Sequence, residues 1–203
     1  GKTMSVVATI GAVITAAGAV PYILAVKQGA VRPRIVSWVV WSALAGIMTV
    51  SAYLEGQMPS ALLSLVSFVG CTAITLLGWR HSSLRLSKLD IVCLIGAIAG
   101  IAALVVFKNP LTAILVAVAV DAIAFVPTLV HAWESPEEES LACFALTVAG
   151  GLCALVAANM AGASFVGLAY PLYAVVFNSA MVLLLIVGRF GLLFDYGYGN
   201  EEI

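Results

Sequence analysis

The residue best placed for chemistry is a single carboxylate, Asp121, which lies in a long apolar run. The run from Leu111 to His131 consists mainly of Ala, Val, Ile, Leu and Phe, and its length is typical of a membrane-spanning helix. An Asp at the centre of such a helix costs about 2.5–3.5 kcal/mol on insertion scales. At that depth it can hydrogen-bond hydroxyls or amides of a solute, or bind and release a proton. The alternative is a protonated side chain that bonds a neighbouring helix and serves packing.

A second polar side chain, Asn178, lies near the middle of the last apolar run, within an aromatic stripe. Helical spacing gathers five residues on one face: Tyr170, Tyr173, Phe177, Asn178 and Met181. An aromatic wall with one amide is typical of small-molecule pockets and equally of an ordinary buried helix face. We predict that Asp121, Asn178, Tyr173 and Phe177 contribute to a substrate site.

Two tryptophans share one face of the second predicted helix, Trp38 and Trp41. Trp38 lies close to the end of its helix, where tryptophan often anchors a protein at the membrane interface. Trp41 lies one turn deeper and is the better pocket candidate. Both are included among the predicted substrate-binding residues.

The composition explains which kind of fold must position these side chains. Hydrophobic residues make up 63% of the chain and charged residues only 9%, whereas soluble domains carry about 25% charge. The 203 residues suffice for about seven membrane helices of ~20 residues. A net charge of −1 gives no reason to expect nucleic-acid binding. The four cysteines have no CxxC spacing, so we predict no metal site and no cofactor.

Seven helices are predicted, which makes the chain an all-α membrane protein. The segments between them contain charged residues, Gly, Pro or Asn, as loops require. The predicted helices cover residues 4–26, 35–54, 59–79, 89–107, 111–132, 139–158 and 166–187, and residues 188–203 form a tail.

The basic residues predict the orientation of these helices, because loops rich in Lys and Arg stay in the cytoplasm. Seven basic residues lie on one side of the membrane: Lys27, Arg32, Arg34, Arg80, Arg85, Lys88 and Arg189. Only Lys2 and Lys108 lie on the opposite side. We therefore place the amino terminus outside and the carboxyl terminus and tail in the cytoplasm, in a prokaryotic inner membrane.

An internal repeat is suggested by two prolines at matching places, Pro21 and Pro127. Each lies shortly before the cytoplasmic end of its helix and is followed by a charged loop; Trp38 and Phe144 follow these loops. The fourth helix restores the orientation of a second three-helix unit, which gives a 3+1+3 plan. The units are residues 4–79 and 111–187, joined by 89–107. Proline kinks helices, so we predict that the pair acts as hinges for alternating access.

This plan resembles the superfamily of SWEET sugar carriers, PQ-loop proteins and PnuC-type vitamin carriers. The resemblance rests on the two prolines and the loops after them, on the paired tryptophans and on Asn178. It implies that the prolines are hinges and that an Asn on the last helix of a repeat binds substrate. Asn178 occupies that position in the second repeat. Thr72 is its counterpart in the first repeat and is also predicted to bind substrate. Tyr22 and Thr128, rather than Gln, follow the prolines. With Asp121 on its fifth helix, the chain is more similar to the PnuC branch of this superfamily.

The predicted function is transport of a small polar solute, such as a sugar, a nucleoside or a vitamin, by alternating access about the proline hinges. The alternative is a receptor or regulatory membrane protein that does not transport. No Walker A, HExxH or GxSxG motif occurs, so we predict no enzyme and no catalytic residues. The expected partners are the solute and the bilayer. A GxxxG pair, Gly96 and Gly100, leaves open packing within its own bundle or against a second copy in a homo-oligomer.

Overall fold

The computed structural model describes residues 2–31, 33–79 and 87–198 of the chain. Three basic residues used to predict the orientation, Arg32, Arg80 and Arg85, lie outside the described residues. The same holds for the part of the predicted tail beyond Tyr198.

The described residues form an all-helical fold, which confirms the predicted fold class at that level. A short 3-10 turn, Pro136–Glu138, precedes the sixth helix. The α-helices are α1 (Lys2–Lys27), α2 (Ile35–Leu54), α3 (Met58–Gly78), α4 (Lys88–Phe107), α5 (Pro110–Glu134), α6 (Leu141–Met160) and α7 (Phe165–Tyr198). The predicted bounds of α2 coincide with the observed ones.

Six of the described helices are long and apolar enough to cross a membrane: α1, α2, α3, α5, α6 and α7. Large apolar side chains cover the outside of the bundle; Val13, Leu76 and Val106 are among the most exposed. Such an apolar exterior is expected of a surface that faces lipid. These features indicate an integral membrane protein.

Polar side chains determine where α5 and α6 begin. Asn109 accepts hydrogen bonds from the backbone N–H groups of Leu111 (3.0 Å) and Thr112 (3.2 Å), and Pro110 occupies the first position of α5, where its missing N–H costs nothing. Ser140 accepts from the N–H of Cys143 at 3.3 Å. Both residues satisfy N–H groups that a helix start leaves unpaired.

The carboxyl ends of α2 and α6 have the same geometry. After α2, Gly56 has φ 68°, and after α6, Gly162 has φ 64°, values that favour glycine because it has no Cβ. The N–H of Gln57 bonds the carbonyl of Ala52 at 2.8 Å, and Ala163 bonds Ala158 at 3.0 Å. Both ends are therefore Schellman motifs, which turn the chain sharply into the next helix.

Helix α7 continues past residue 187, where the sequence predicts its end, and reaches Tyr198. Its 34 residues extend about 51 Å at 1.5 Å per residue, well beyond a hydrocarbon core of about 30 Å. Arg189, which was assigned to the tail, contacts the 3-10 turn instead: its guanidinium donates to the carbonyls of Pro136 (3.1 Å) and Glu139 (2.7 Å). This contact supports the extra turns.

We call α1–α3 and α5–α7 the two helix groups. In one group α3 packs against α1 and α2, and in the other α7 packs against α5 and α6. The groups meet along two helix pairs, α1 with α6 and α2 with α5, while α4 packs against α5 and α2. A Cβ on Gly96 would lie 2.8 Å from the Val120 side chain, and one on Gly100 would lie 3.4 Å from Ile47. The GxxxG pair therefore packs within its own bundle.

Candidate functional site

A cavity of about 100 Å³ lies between the two groups of helices, large enough for several water molecules. Every helix except α4 contributes to its wall. Five of the seven predicted substrate-binding residues line it: Trp38, Trp41, Asp121, Tyr173 and Asn178. The structure therefore brings together residues that are as much as 140 positions apart in the sequence.

Asp121 lies near the middle of α5 and is only 6% exposed. The Tyr173 hydroxyl faces the Asp121 carboxyl, yet Asp121 Oδ1 and Tyr173 Oη both lack a hydrogen-bond partner of acceptable geometry among the described residues. Trp41 Nε1 is a third buried polar atom without such a partner. Buried polar groups are nearly always bonded, so three of them in one wall mark a place for water or a ligand.

Aromatic rings form a continuous series through the protein and along this wall. The centroids of neighbouring rings lie between 4.6 and 6.4 Å apart, a spacing typical of favourable ring contacts. In order, the series is Tyr22, Trp38, Trp41, Phe125, Phe177, Tyr173 and Tyr170. The wall is therefore built from side chains that hold one another in place.

Asn178 lies in the wall and is half-buried. Its Nδ2 donates a hydrogen bond to the carbonyl of Ala174 at 2.7 Å. One N–H of the amide is therefore used within α7, which leaves the second N–H and the oxygen for a solute. Its role in substrate binding stays a prediction.

Two predicted residues do not belong to the wall. Phe177 lies behind it, where its ring contacts Tyr173 at 4.6 Å and Phe125 at 5.6 Å between centroids. Thr72 lies at the contact of α2 with α3, since its hydroxyl bonds Ser42 Oγ (2.6 Å) and the Phe68 carbonyl (2.7 Å). The preceding residue, Cys71, is the one that lines the cavity, because consecutive positions on a helix point in different directions.

The sequence predictions missed several residues of the wall. Thr15, Phe144 and Thr147 are among them, as are Ser67 and Cys71. A stripe of small residues along α3 contains the last two and is the signal that could have found them. Phe144 occupies the place that matches Trp38 when the two prolines are aligned.

The prolines predicted as hinges lie inside α1 and α5. Pro21 is exposed and Pro127 is buried. A third proline, Pro171, lies inside α7 directly after Tyr170 of the wall. Movement about Pro21 and Pro127 stays a prediction.

Near the end of the bundle where α1 finishes, three residues form what we call the Glu139 cluster: Tyr22, Glu139 and Arg189. Glu139 is 5% exposed, and the Tyr22 hydroxyl donates to its Oε2 at 3.4 Å. Arg189 bonds the Glu139 carbonyl, as described above. Burial raises the pKa of Glu139 to about 7, with the Tyr22 bond opposing and the charge of Glu138 adding to the rise. The cluster ties α1, α7 and the start of α6 together.

The wall contains one carboxylate and no Lys, Arg or His among the described residues. No group of three metal-binding side chains occurs within residues 2–31, 33–79 and 87–198. Comparison of the chain with protein families, with curated proteins and with solved structures found no match.

Proposed function

We propose that the protein is a membrane transporter or facilitator of a small polar solute. The observation that carries this proposal is the cavity between the two helix groups, in which Asp121, Trp41 and Tyr173 present buried polar atoms that no described residue hydrogen-bonds. A solute bound there would satisfy those atoms. The site would bind and release the solute unchanged, without chemical conversion.

We further propose that the two helix groups are parallel repeats in a 3+1+3 plan, with α4 as the linker. A constant separation of 106 residues supports this. It relates Pro21 to Pro127 and Gly56 to Gly162. It also relates both ends of α2 to both ends of α6, since the two helices have 20 residues each. Two independent segments are not expected to share helix length, cap and proline at one spacing.

The wall of the cavity follows the same separation. Five pairs of lining residues are 106 positions apart: Thr15 and Asp121, Ala19 and Phe125, Trp38 and Phe144, Trp41 and Thr147, Ser67 and Tyr173. The helix contacts match as well. At this separation α1 corresponds to α5 and α2 to α6, so the α1–α6 contact corresponds to the α5–α2 contact. The cavity would thus lie on the axis that relates the repeats, where carriers built from repeats bind their substrates.

A carrier of this plan would work by alternating access, with α1 and α5 bending at Pro21 and Pro127, as the resemblance to SWEET and PQ-loop proteins implies. In our proposed orientation the amino terminus is outside the cell and the carboxyl terminus is in the cytoplasm of a prokaryote. Four described basic residues support it, because they lie at the same end of the bundle: Lys27, Arg34, Lys88 and Arg189.

Uptake into liposomes tests the function. We expect the purified full chain to raise uptake of at least one member of a radiolabelled panel (glucose, uridine, thiamine and choline) above that of empty liposomes. Asp121→Asn and Asn178→Ala should each lower that uptake at least tenfold, because the first replaces the carboxyl group of the wall by a neutral amide and the second removes the amide. Glu137→Gln, an exposed change outside the cavity, should leave uptake unchanged. Wild-type uptake equal to that of empty liposomes for the whole panel would contradict transport.

A further inference from the structure

We propose that the cavity selects a small organic cation that also carries an acceptor oxygen, as an amino alcohol does. This inference rests on the proposed function, since it takes the cavity to be the solute site. It depends on the charge of the wall, on its aromatic faces and on which hydrogen bonds the wall still has to offer.

The charge of the wall favours a cation. An ionised carboxylate removed from water costs several kcal/mol unless a positive group pairs with it. Asp121 is buried, its Oδ1 lacks a partner among the described residues, and the described wall has no Lys, Arg or His. An ammonium group entering the cavity would supply the missing positive charge.

The aromatic faces favour the same ligand. Six rings line the cavity together with Asp121: Trp38, Trp41, Phe125, Phe144, Tyr170 and Tyr173. Ring faces attract cations, tryptophan most strongly, and the attraction grows when the cation is desolvated. A site that combines several rings with one carboxylate can hold an ammonium group from all sides.

The remaining hydrogen bonds argue against a sugar. The hydroxyls of Thr15, Thr147 and Ser67 donate to the carbonyls of their own helices, at 3.0, 2.9 and 3.2 Å. Few donors are therefore left for a ligand with many hydroxyls. Those that remain include Trp41 Nε1, Tyr173 Oη and the second N–H of Asn178, which suffice for a single acceptor oxygen on the cation.

Binding of choline against its uncharged analogue 3,3-dimethylbutan-1-ol tests the inference, because the two molecules have the same shape and differ in charge. We expect choline to raise the apparent melting temperature of the purified full chain in detergent, and the alcohol to have no effect at equal concentration. By titration calorimetry, Asp121→Asn should weaken choline binding at least tenfold. Glu137→Gln should bind choline as the wild type does.

A second variant keeps the test valid if Asp121→Asn does not fold. Trp41→Leu retains the carboxylate and removes one ring, so choline binding should weaken severalfold. Equal binding of the alcohol and choline would overturn the inference, as would choline affinity unchanged in Asp121→Asn. So would the absence of binding for choline, ethanolamine and tetramethylammonium alike.

The results also separate this inference from the proposed function. Choline that binds through Asp121 but is not carried into liposomes would contradict transport and leave the cation site standing. Uptake of uncharged glucose or uridine that depends on Asp121 would support transport and overturn the selection of a cation.

Discussion

The two interfaces that join the helix groups, α1 with α6 and α2 with α5, are built differently. Between α1 and α6 the backbones approach closely: a Cβ on Gly11 would lie 2.8 Å from the Gly150 carbonyl oxygen, and one on Gly150 would overlap Thr15. Between α2 and α5 the contact is made by Trp41 and Phe125, whose ring centroids are 5.3 Å apart. Small residues allow the close backbone contact of α1 with α6, whereas the contact of α2 with α5 is made by rings that also line the cavity.

The two interfaces also differ near the carboxyl ends of α1 and α5. Tyr22, directly after Pro21, is bonded to Glu139 at 3.4 Å. Thr128, directly after Pro127, is buried, and its hydroxyl lacks a partner among the described residues. The α1–α6 interface therefore has a polar contact at this end, and the described residues of the α2–α5 interface have none at Thr128. The comparison shows that one interface combines close backbones with a polar contact, while the other is made by aromatic rings.

The largest effect should come from breaking the close contact of α1 with α6. Gly150→Val places three carbons against Thr15 and the Gly11 carbonyl, so the helices must separate, which we expect to lower the free energy of unfolding by about 3 kcal/mol or more. Chemical unfolding in detergent measures it. Gly46→Ala is a control glycine change within α2, where the new Cβ meets the Phe68 ring of α3 at 3.5 Å. This variant should gain up to about 1 kcal/mol from helix propensity; an equal loss in both variants would show that the close approach of α1 and α6 is not the cause.

The Glu139 cluster should make stability depend on pH. The pKa of Glu139 is raised from its usual 4.5 to about 7 in the folded chain, so the folded state binds a proton more tightly than the unfolded state does. The free energy of unfolding should therefore be highest below about pH 4.5, fall between about pH 4.5 and 7, and level off above, with a slope of at most about 1.4 kcal/mol per pH unit. Unfolding midpoints measured across pH 4–8 test this.

Two variants separate this effect from that of other carboxylates. Glu139→Gln should remove most of the slope, because the side chain no longer titrates. Glu137→Gln, which is exposed, should keep the wild-type slope. An unchanged slope in Glu139→Gln would show that the cluster does not control the pH dependence.

The smallest effect should come from the ion pair at the start of α2. Arg34 Nη2 lies 2.8 Å from Asp90 Oδ2, and the arginine side chain is 38% exposed. Partly exposed pairs are screened by solvent, so the coupling free energy should be about 1 kcal/mol or less. A double-mutant cycle with Arg34→Gln and Asp90→Asn measures it. A coupling above about 2 kcal/mol would mean that the α2 side is held as firmly as the α1 side.

Much of the fold could be predicted because each helix end carries its own chemical signal. Asn109 with Pro110 begins α5, and Gly56 and Gly162 follow the ends of α2 and α6. The end of α7 was predicted too early, because Arg189 and two glycines are typical of a loop. Only the tertiary contact of Arg189 with the 3-10 turn explains why the helix continues.

The site was harder to predict than the helices. Asp121 stands out in any apolar run, and Trp41 and Tyr173 are conspicuous by size. Thr15 and Thr147 do not stand out in the sequence. Each is a small polar residue whose hydroxyl can bond a backbone carbonyl of its own helix, whichever face of the helix it occupies. The sequence of a uniformly apolar helix does not state which face turns inward, and Thr72 was chosen where Cys71 lies in the wall for this reason.

The length of α7 has a mechanical consequence. At about 51 Å, α7 is longer than the roughly 30 Å hydrocarbon core of a bilayer, and Arg189 hydrogen-bonds the segment between α5 and α6. A force applied to the last turns of α7 would therefore reach this segment and, through the bond of Glu139 to Tyr22, the end of α1. Two hydrogen-bonded contacts thus couple the carboxyl-terminal helix to the first helix.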